Sequence, residues 1–238
     1  MSILVVAAHP DDEILGCGGS MAKWAQAGED VHILIMAEGS TSRDDQRNVE
    51  THKENLASLA AAAENAGKVV GAASVDLLGY PDNRMDSLDS LDIVKAVEKK
   101  IAICQPHTVL THHCGDVNID HKVIHDAVVT ACRPQPNHGV QQLMAFEVNS
   151  STEWQPPGSA PAFLPNWFED ISATLDIKIK ALEAYQSEMR PWPHSRSIKS
   201  VKSLAEVRGS SVGCEAAEAF VLLRAINKEN RAGPPPGS

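Results

Sequence analysis

The chain has 238 residues, a formal net charge of −10 at pH 7 and 43% hydrophobic residues. This length accommodates one large domain with a substantial core. The negative charge, without a cluster of Lys and Arg, argues against nucleic acid or an anionic membrane as the principal partner. No stretch is apolar enough for a membrane span, and the N-terminal apolar run is too short for a secretory signal. The five cysteines are odd in number and lack Cys-x-x-Cys spacing, so we expect a cytoplasmic protein in a reducing compartment.

Hydrophobic periodicity predicts strands that alternate with helices along the chain. Short apolar runs predict strands at residues 3–8, 31–36, 74–78, 108–111 and 142–148. Apolar residues at helical spacing predict helices at 16–27, 44–66, 91–103, 119–132, 175–188 and 198–207. Residues 217–224 fit either a helix or a strand. Strands separated by helices favour right-handed crossovers, which predicts an α/β, Rossmann-like fold with a mostly parallel sheet and helices on both faces.

The amino-acid composition changes in the later part of the chain. Residues 149–166 are rich in Ser, Pro and Gly without any period, which is typical of a functional loop or the rim of a site. We expect one domain over residues 1–228, with an α/β core at 1–148 and an irregular C-terminal portion at 149–228 packed on it. The Pro- and Gly-rich tail at 229–238 is expected to be disordered.

The first predicted strand ends in an ionisable cluster, His9-Pro10-Asp11-Asp12-Glu13. In open α/β sheets, ligands bind where strands end and helices begin. Unpaired imidazole and carboxylate groups are costly there, so the natural partner is a divalent metal ion with nitrogen and oxygen ligands, such as zinc. The alternative is that Asp11 or Asp12 only caps the next helix, which would leave His9 and the other acids unexplained.

A second polar cluster, residues 111–121, follows the fourth predicted strand and ends at His121. If the first and fourth strands are neighbours, both clusters meet over one edge of the sheet. A catalytic zinc ion takes three protein ligands and leaves a position for water. We therefore predict His9 and Asp12 as a close pair of ligands and His121 as the third. His125, one helical turn later, is a less favoured fourth ligand.

These motifs resemble those of the LmbE-like, or PIG-L, family of zinc-dependent de-N-acetylases. The matching residues are His9-Pro10-Asp11-Asp12-Glu13 and Asp116-x-Asn118-x-Asp120-His121, with weaker matches at Gly79-Tyr80-Pro81-Asp82 and Arg47-x-x-Glu50. The resemblance covers residues 3–148 well and continues loosely to 224. Members of the family remove an acetyl group from N-acetylglucosamine-type sugars on lipids, thiol cofactors or antibiotics. The resemblance therefore implies a metal-dependent amidohydrolase acting on a small N-acetylated amino sugar or glycoconjugate.

The resemblance also implies roles for individual residues. It implies that His9, Asp12 and His121 bind zinc and that Asp11 is the general base. Asp120 would lie behind the ligands and orient an imidazole ring. The alternative for Asp120 is that its side chain caps the helix that begins near residue 119.

By the same resemblance, Arg47 and Asp82 would hold sugar hydroxyls or a carbonyl of the substrate. The alternative for Asp82 is an ordinary turn residue after a proline. Trp154, Trp167 and Trp192 lie in the irregular later region. An exposed aromatic ring there could stack on a sugar face, although core packing is the commoner role for any one of them.

The chain departs from the family pattern at Asn118, where several members have a histidine assigned as the acid that protonates the leaving amine. Asparagine can donate a hydrogen bond to a developing oxyanion, but it cannot supply a proton. The identity of the acid is left open between Asp11, after it has taken a proton from water, and His112 or His113.

Two other classes of protein remain open. Gly16-Cys17-Gly18-Gly19 after the first strand would suit a nucleotide-binding oxidoreductase, although the third glycine of that fingerprint is missing. A non-catalytic metal- or carbohydrate-binding module is the other alternative, although such a module would have no need of Asp11. Iron or cobalt could replace zinc in the same ligand set. The oligomeric state is open, with a homo-oligomer among the alternatives.

Overall fold

The computed structural model describes residues 1–43, 47–136 and 138–227. Within them the strands are β1 (Ser2–Ala7), β2 (Asp30–Ala37), β3 (Ser74–Tyr80), β4 (Thr108–His112), β5 (Gln142–Phe146), β6 (Trp167–Asp170) and β7 (Ala217–Ala225). The helices are α1 (Asp12–Gln26), α2 (Lys53–Val70), α3 (Ser90–Cys104), α4 (Ile119–Ala131), α5 (Leu175–Leu182) and α6 (Ile198–Ser210). Short 3-10 turns cover Thr41–Arg43, Met85–Ser87, Thr152–Trp154 and Glu183–Tyr185.

The strands form one sheet in the order β3-β2-β1-β4-β5-β7-β6. Strands β1 to β5 are parallel, whereas β7 pairs antiparallel with β5 and with β6. The chain extends the sheet from β1 towards β3 and then returns to the other side of β1 with β4. At such a reversal a crevice opens at the carboxyl ends of the strands, and ligands bind there. The predicted Rossmann-like α/β fold with a mostly parallel sheet is confirmed.

Both faces of the central strand β1 are covered by helices. Successive side chains of a strand point to opposite faces. Ile3 and Val5 pack in a core with residues of α1, α2, α5 and α6. Leu4 and Val6 pack in a second core with residues of α3 and α4. This double burial explains why the first strand is a continuous apolar run without alternation.

Helix α1 is interrupted at Cys17, whose φ of −147° and ψ of 23° are not helical. The backbone N–H groups of Gly19 and Ser20 after this break donate to the carboxylate of Glu218 on β7, at 2.9 and 2.7 Å. Lys178 of α5 pairs with Glu218 at 2.7 Å, and both side chains are buried. The C-terminal elements are therefore tied to the middle of α1 by a buried ionic cluster.

The glycines of α1 allow close packing of the helix. A Cβ atom on Gly16 would lie 2.4 Å from the Phe146 ring, and one on Gly19 would lie 2.8 Å from Ile171. A pyrophosphate needs open space beside such glycines and the N–H groups of a helix N-terminus. Because protein side chains fill that space here, the geometry argues against the nucleotide-binding oxidoreductase.

Helix α2 begins at Lys53, later than predicted, and the predicted helical positions 44–46 lie outside the described residues. Arg47 does not belong to the helix, and its side chain forms an ion pair with Glu38 at 2.8 Å. The helix also continues past its predicted end and stops at Gly71, whose φ of 77° is left-handed. Glycine adopts this conformation at a helix end with little steric cost.

The remaining differences concern the ends of elements and the C-terminal portion. Helix α1 begins before its predicted start, because the Asp12 N–H already bonds to the His9 carbonyl at 3.2 Å. Helix α5 is shorter than predicted and continues as a 3-10 turn, and residues 217–224 belong to strand β7. Strand β6 is not predicted, since a four-residue strand is too short to show periodicity. No helix in the described ranges combines the length and apolarity needed to cross a membrane. The tail at 229–238 lies outside the described residues.

Candidate active site

The two ionisable clusters meet above the carboxyl ends of β1 and β4. These strands are parallel neighbours, with Ile3 opposite Thr108, so the segments that follow them emerge side by side. Residues 9–12 follow β1, and residues 116–121 follow β4 and enter α4. The prediction that both clusters share one edge of the sheet is confirmed.

The three predicted metal ligands lie within reach of a single ion. One donor atom each from His9, Asp12 and His121 lies within 4.8 Å of the others. Asp12 Oδ2 is 3.1 Å from both His9 Nδ1 and His121 Nε2, and it also accepts the backbone N–H of His9 at 2.9 Å. Asp12 and His121 each lie in the first turn of a helix, and such rigid elements hold ligands better than a loop would.

The Nε2 atom of His121 points at the space between the three proposed ligands and has no hydrogen bond with any described residue. This atom is buried and faces the Asp12 carboxylate at 3.1 Å. Two buried lone pairs that face each other are costly unless a proton or a metal ion lies between them. Burial lowers the pKa of His121, but the carboxylates of Asp12 and Asp116 raise it to about 9. The surroundings therefore favour a cation on this ring.

Asp116 orients His121 from the other side of the ring. Its Oδ2 lies 3.1 Å from His121 Nδ1, which keeps the proton on Nδ1 and leaves Nε2 free for a metal. The hydroxyl groups of Ser151 and Thr152 donate to the same carboxylate, the latter at 2.8 Å. Asp116 belongs to the matched motif, yet sequence reasoning assigns it no role. The sequence feature that could have indicated this role is a carboxylate shortly before a predicted histidine ligand.

Asp120 holds His9 in the same manner. Its Oδ2 is 3.1 Å from His9 Nε2, which leaves Nδ1 facing the other ligands. Asp120 also accepts the backbone N–H groups of Asn83 and Met85, at 2.7 and 3.0 Å. The alternative that Asp120 caps α4 is wrong, because the N-cap is Asn118, whose side chain accepts the N–H of Asp120.

A second group of possible ligands consists of His9, Asp82 and Asp120. It is the poorer candidate, because Asp120 already accepts two backbone N–H groups and Asp82 accepts the N–H and hydroxyl of Ser42 at 3.2 and 2.7 Å. Within the described chain, His121 alone among the members of both groups has a buried atom without a hydrogen bond. Two imidazole nitrogens and one carboxylate oxygen are typical of catalytic zinc. The residues His9, Asp12 and His121 therefore fit a divalent metal ion.

Asp11 lies next to this ligand set but makes different contacts. It occupies the N-cap position of α1 with a φ of 114°, and its side chain makes no capping hydrogen bond. Instead, its Oδ2 pairs with Arg196 Nη1 at 2.9 Å. A non-glycine residue with positive φ is costly and is often found at functional sites. Burial raises the pKa of Asp11, and Arg196 opposes this rise. A purely capping role for Asp11 is therefore not supported.

Arg196 contacts Asp11 in the site, although the sequence does not predict it there. It lies in the segment between α5 and α6, where its Nε donates to Ser150 Oγ at 2.7 Å. Its Nη1 also lies 3.6 Å from Glu188 Oε2. No motif or periodicity marks this segment, so only the folded chain reveals its role beside Asp11.

Glu13 is hydrogen-bonded to the backbone of Asp11. Its Oε2 accepts the backbone N–H of Asp11 at 3.1 Å, and its Oε1 accepts the hydroxyl of Tyr185 at 2.6 Å. Burial raises the pKa of Glu13 to about 7. These bonds help to hold the backbone of Asp11 in its left-handed conformation.

A cavity of 270 Å³ opens beside His9 and Asp11, and it is lined by the loops after the parallel strands and by the segment between α5 and α6. Asp82 lines this cavity. Burial raises the pKa of Asp82, but His9 and Ser42 lower it to about 2, so it is ionised at neutral pH. Arg47 does not line the cavity; it donates two bonds to Glu38, both at 2.8 Å.

The candidate acids differ in position. Asn118 lines the cavity, and because its Oδ1 serves the helix cap, only Nδ2 is left to donate. His112 is fully buried and stacks on His121 with ring centroids 3.8 Å apart, whereas His113 Nε2 bonds to a backbone carbonyl at 2.9 Å. Neither of these two histidines lines the cavity. His125 Nδ1 donates to the carbonyl of His112 at 2.8 Å, away from the ligands.

Together, the fold and the site define a Rossmann-like protein with a candidate catalytic metal site and an adjacent buried carboxylate at the reversal point of its sheet. The chain belongs to the PIG-L family, because the family model described as GlcNAc-PI de-N-acetylase matches residues 4–132. The resemblance noted in the sequence is thereby confirmed.

Comparisons with individual proteins agree with this membership. YaiS, an uncharacterised deacetylase of Escherichia coli K12, is 29% identical over 191 residues, which are 78% of this chain and 90% of YaiS. Diacetylchitobiose deacetylase of Thermococcus kodakarensis is 25% identical over 190 residues, which are 78% of this chain and 69% of that protein. The structure of GalB, the 4-carboxy-2-hydroxymuconate hydratase of Pseudomonas putida KT2440, has a TM-score of 0.74 at 24% identity, over 97% of this chain and 99% of that chain. This last likeness shows the fold alone. The family match and the deacetylase relatives identify the chain as a hydrolytic N-deacetylase.

Proposed function

We propose that the protein is a zinc-dependent hydrolase that removes the N-acetyl group from an N-acetylglucosamine-type sugar or sugar conjugate. The observation that carries this proposal is the convergence of His9, Asp12 and His121, with the buried Nε2 of His121 facing the Asp12 carboxylate at 3.1 Å, next to the cavity that His9 and Asp11 line. The substrate class is supported by the relative that acts on diacetylchitobiose.

The side chains of His9, Asp12 and His121 would hold the ion, and the same set would also accept iron or cobalt. When bound by these residues, zinc would polarise the acetyl carbonyl and lower the pKa of water towards about 7. Asp116 and Asp120 keep the two imidazole rings in the tautomers that such binding requires. These two carboxylates therefore position ligands and do not contact the substrate.

Asp11 accepts the proton of the attacking water. Its carboxylate lines the cavity, and burial gives it a greater proton affinity than an exposed aspartate has. The Arg196 guanidinium opposes this rise in the pKa of Asp11 and fixes the orientation of its carboxylate. A positioned general base of this kind typically contributes about 10²–10⁴-fold to the rate.

The reaction also requires a proton for the leaving amine. As the amide C–N bond breaks, the nitrogen takes up a proton and leaves as a free amine, while the acetyl group leaves as acetate. We assign this proton to Asp11, which holds it after the attack of water, since His112 and His113 do not line the cavity. Asn118 Nδ2 donates a hydrogen bond to the oxyanion.

The ionised carboxylate of Asp82 is assigned to the sugar hydroxyls, because it lines the cavity beside His9. Arg47 can bind a substrate only if its hydrogen bonds to Glu38 are broken first. We also infer a cytoplasmic location, which the five free cysteines support. A single domain over residues 1–228 is supported by the pairing of β7 with β5 in the same sheet.

The proposal is tested by measuring acetate and free amine released from N-acetylglucosamine, its methyl glycoside, N,N′-diacetylchitobiose and a panel of N-acetylated sugar conjugates. The zinc-loaded protein should act on at least one of these compounds. A chelator should abolish the activity, and added zinc should restore it. A fully metal-loaded protein that releases amine from none of them would reject the proposal.

A further inference from the structure

Trp154 is a large aromatic residue that the fold leaves half uncovered. It is 53% exposed, lines the cavity that contains Asp11, and belongs to neither hydrophobic core of the sheet. Its ring packs against His194, with centroids 5.6 Å apart and planes at 74°. An exposed tryptophan at the rim of a cavity offers a flat apolar surface that a ligand in the cavity can cover.

The turn that carries Trp154 is tied to the metal ligands. The hydroxyl groups of Ser151 and Thr152 bond to Asp116, and the same carboxylate bonds to His121 Nδ1 at 3.1 Å. Thr152 Oγ1 also accepts the backbone N–H of Val148, in the loop after β5, at 2.9 Å. The turn that carries the indole ring is therefore anchored to the carboxylate that contacts His121.

The size of the cavity indicates which part of a substrate reaches this ring. Its volume of 270 Å³ lies just below the range of about 300–1,000 Å³ typical of ligand pockets. It suits one sugar unit beside His9 and Asp11, which leaves Trp154 to a group attached to that sugar. The apolar C–H face of a saturated ring complements a flat indole.

The neighbours of Trp154 are suited to the hydroxyl edge of such a ring. His194, which packs against Trp154, and Arg190 line the same cavity. His194 Nδ1 accepts the backbone N–H of Arg196 at 3.0 Å, so the ring proton lies on Nε2, which can donate to a hydroxyl oxygen.

We propose that Trp154 is a specificity-determining residue that binds a second polyhydroxylated ring, a sugar or a cyclitol, attached to the N-acetylated sugar. The inference rests on the proposed function and narrows its substrate class to glycosides with a ring-shaped aglycone. Free N-acetylglucosamine and its methyl glycoside fill the inner cavity alone and gain nothing from Trp154.

The experiment compares Trp154→Ala, Trp154→Phe and Trp192→Ala with the wild type. Trp192 is a matched control, because it is 56% exposed, lies in the same portion of the chain and does not line the cavity. For diacetylchitobiose, Trp154→Ala should raise KM about 10-fold to 100-fold with little change in kcat, as for the loss of an aromatic hot spot. For the methyl glycoside of N-acetylglucosamine, KM should stay within about two-fold. Trp154→Phe should keep most of the preference for two rings, and Trp192→Ala should keep all of it.

An equal loss on both substrates, or no loss on diacetylchitobiose, would overturn the role of Trp154. Calorimetric titration of zinc-loaded Asp11→Asn with diacetylchitobiose, with and without Trp154→Ala, separates this inference from the proposed function. If the wild type hydrolyses no compound of the panel, the proposed function fails, and the titration still decides whether the ring binds. Equal affinities with and without Trp154→Ala, or no binding to either protein, would overturn the inference independently of turnover.

Discussion

Arg196 Nη1 lies 2.9 Å from Asp11 Oδ2, although 185 positions of the chain separate the two residues. Asp11 is almost fully buried after β1, and a buried carboxylate without a cation is costly. Arg196 comes from the segment before α6 and is itself bonded to Ser150 in the loop after β5. The C-terminal portion therefore completes the site, because it supplies the charge that orients the proposed base.

The first prediction concerns this pair. Arg196→Gln should lower kcat/KM about 100-fold, since a displaced catalytic group can cost that much. Zinc content should stay unchanged, because Arg196 forms no ion pair with His9, Asp12 or His121. Arg196→Lys should recover part of the activity, because it keeps the charge but cannot bond to two partners as a guanidinium does. Steady-state kinetics and metal analysis of the same preparations check both statements.

Arg208→Gln serves as the control for this prediction. Arg208 donates two bonds to Glu147, at 2.8 and 2.7 Å, and does not line the cavity of Asp11. Its loss should leave kcat/KM within about two-fold of the wild type. Wild-type turnover by Arg196→Gln would contradict the role assigned to the Asp11 pair.

The second prediction separates two adjacent carboxylates. Asp11→Asn should retain zinc and lose about 10²–10⁴-fold in hydrolysis, because it removes a base but no ligand. Asp12→Ala and His121→Ala should lose zinc, because each removes one of three ligands. Metal content and acetate release, measured on each purified variant, give the two readouts. An active Asp11→Asn would remove Asp11 from its role, and full zinc occupancy in both other variants would reject the ligand set.

The third prediction concerns Asp116. Asp116→Asn replaces the carboxylate behind His121 by a neutral amide, which stabilises the metal-bound imidazole less. Zinc affinity should fall about 10-fold to 100-fold, as for other residues that hold a metal-bound histidine. Competition with a chromophoric chelator measures this affinity, and circular dichroism shows whether the fold is kept. Asp89→Asn at the N-cap of α3 is a suitable control. Equal zinc affinities for the two variants would show that Asp116 does not support the ligand.

The convergence of His9 and His121 could be predicted from sequence because each follows a short predicted strand, at residues 3–8 and 108–111. Such strands in an α/β protein are parallel, and the carboxyl ends of parallel strands meet at one edge of a sheet. Local order along the chain was therefore sufficient to bring together residues that lie far apart in sequence. The resemblance to a known family added the role of Asp11.

The positions of Arg196 and Arg47 could not be predicted in this way. Arg196 lies in a segment without hydrophobic period, and its orientation depends on Ser150, which is distant in sequence. Arg47 lies at the start of the predicted helix 44–66, but its side chain bonds to Glu38, and α2 begins only at Lys53. In both cases a contact between distant or irregular segments outweighs local propensity.

The last prediction concerns the ionic cluster that ties α1 to the C-terminal elements. The Lys178 and Glu218 side chains are only 5% and 4% exposed. Lys178 also donates to the carbonyl of Leu15 at 2.7 Å, just before the break in the helix. Removal of the lysine would leave the Glu218 carboxylate buried without its counter-charge. The metal-free protein isolates this effect from ligand binding.

Lys178→Met should therefore lower the free energy of unfolding by about 3–5 kcal/mol, as expected when one member of a buried ion pair is removed. The double variant Lys178→Met with Glu218→Gln should recover part of this loss, because it also removes the carboxylate charge that has lost its counter-charge. Lys95→Met breaks the exposed pair with Glu98, in which Lys95 is 63% exposed, and should cost less than about 1 kcal/mol. Urea unfolding followed by circular dichroism in the presence of chelator gives all three values. If Lys178→Met costs no more than Lys95→Met, the buried pair does not anchor the C-terminal elements to α1.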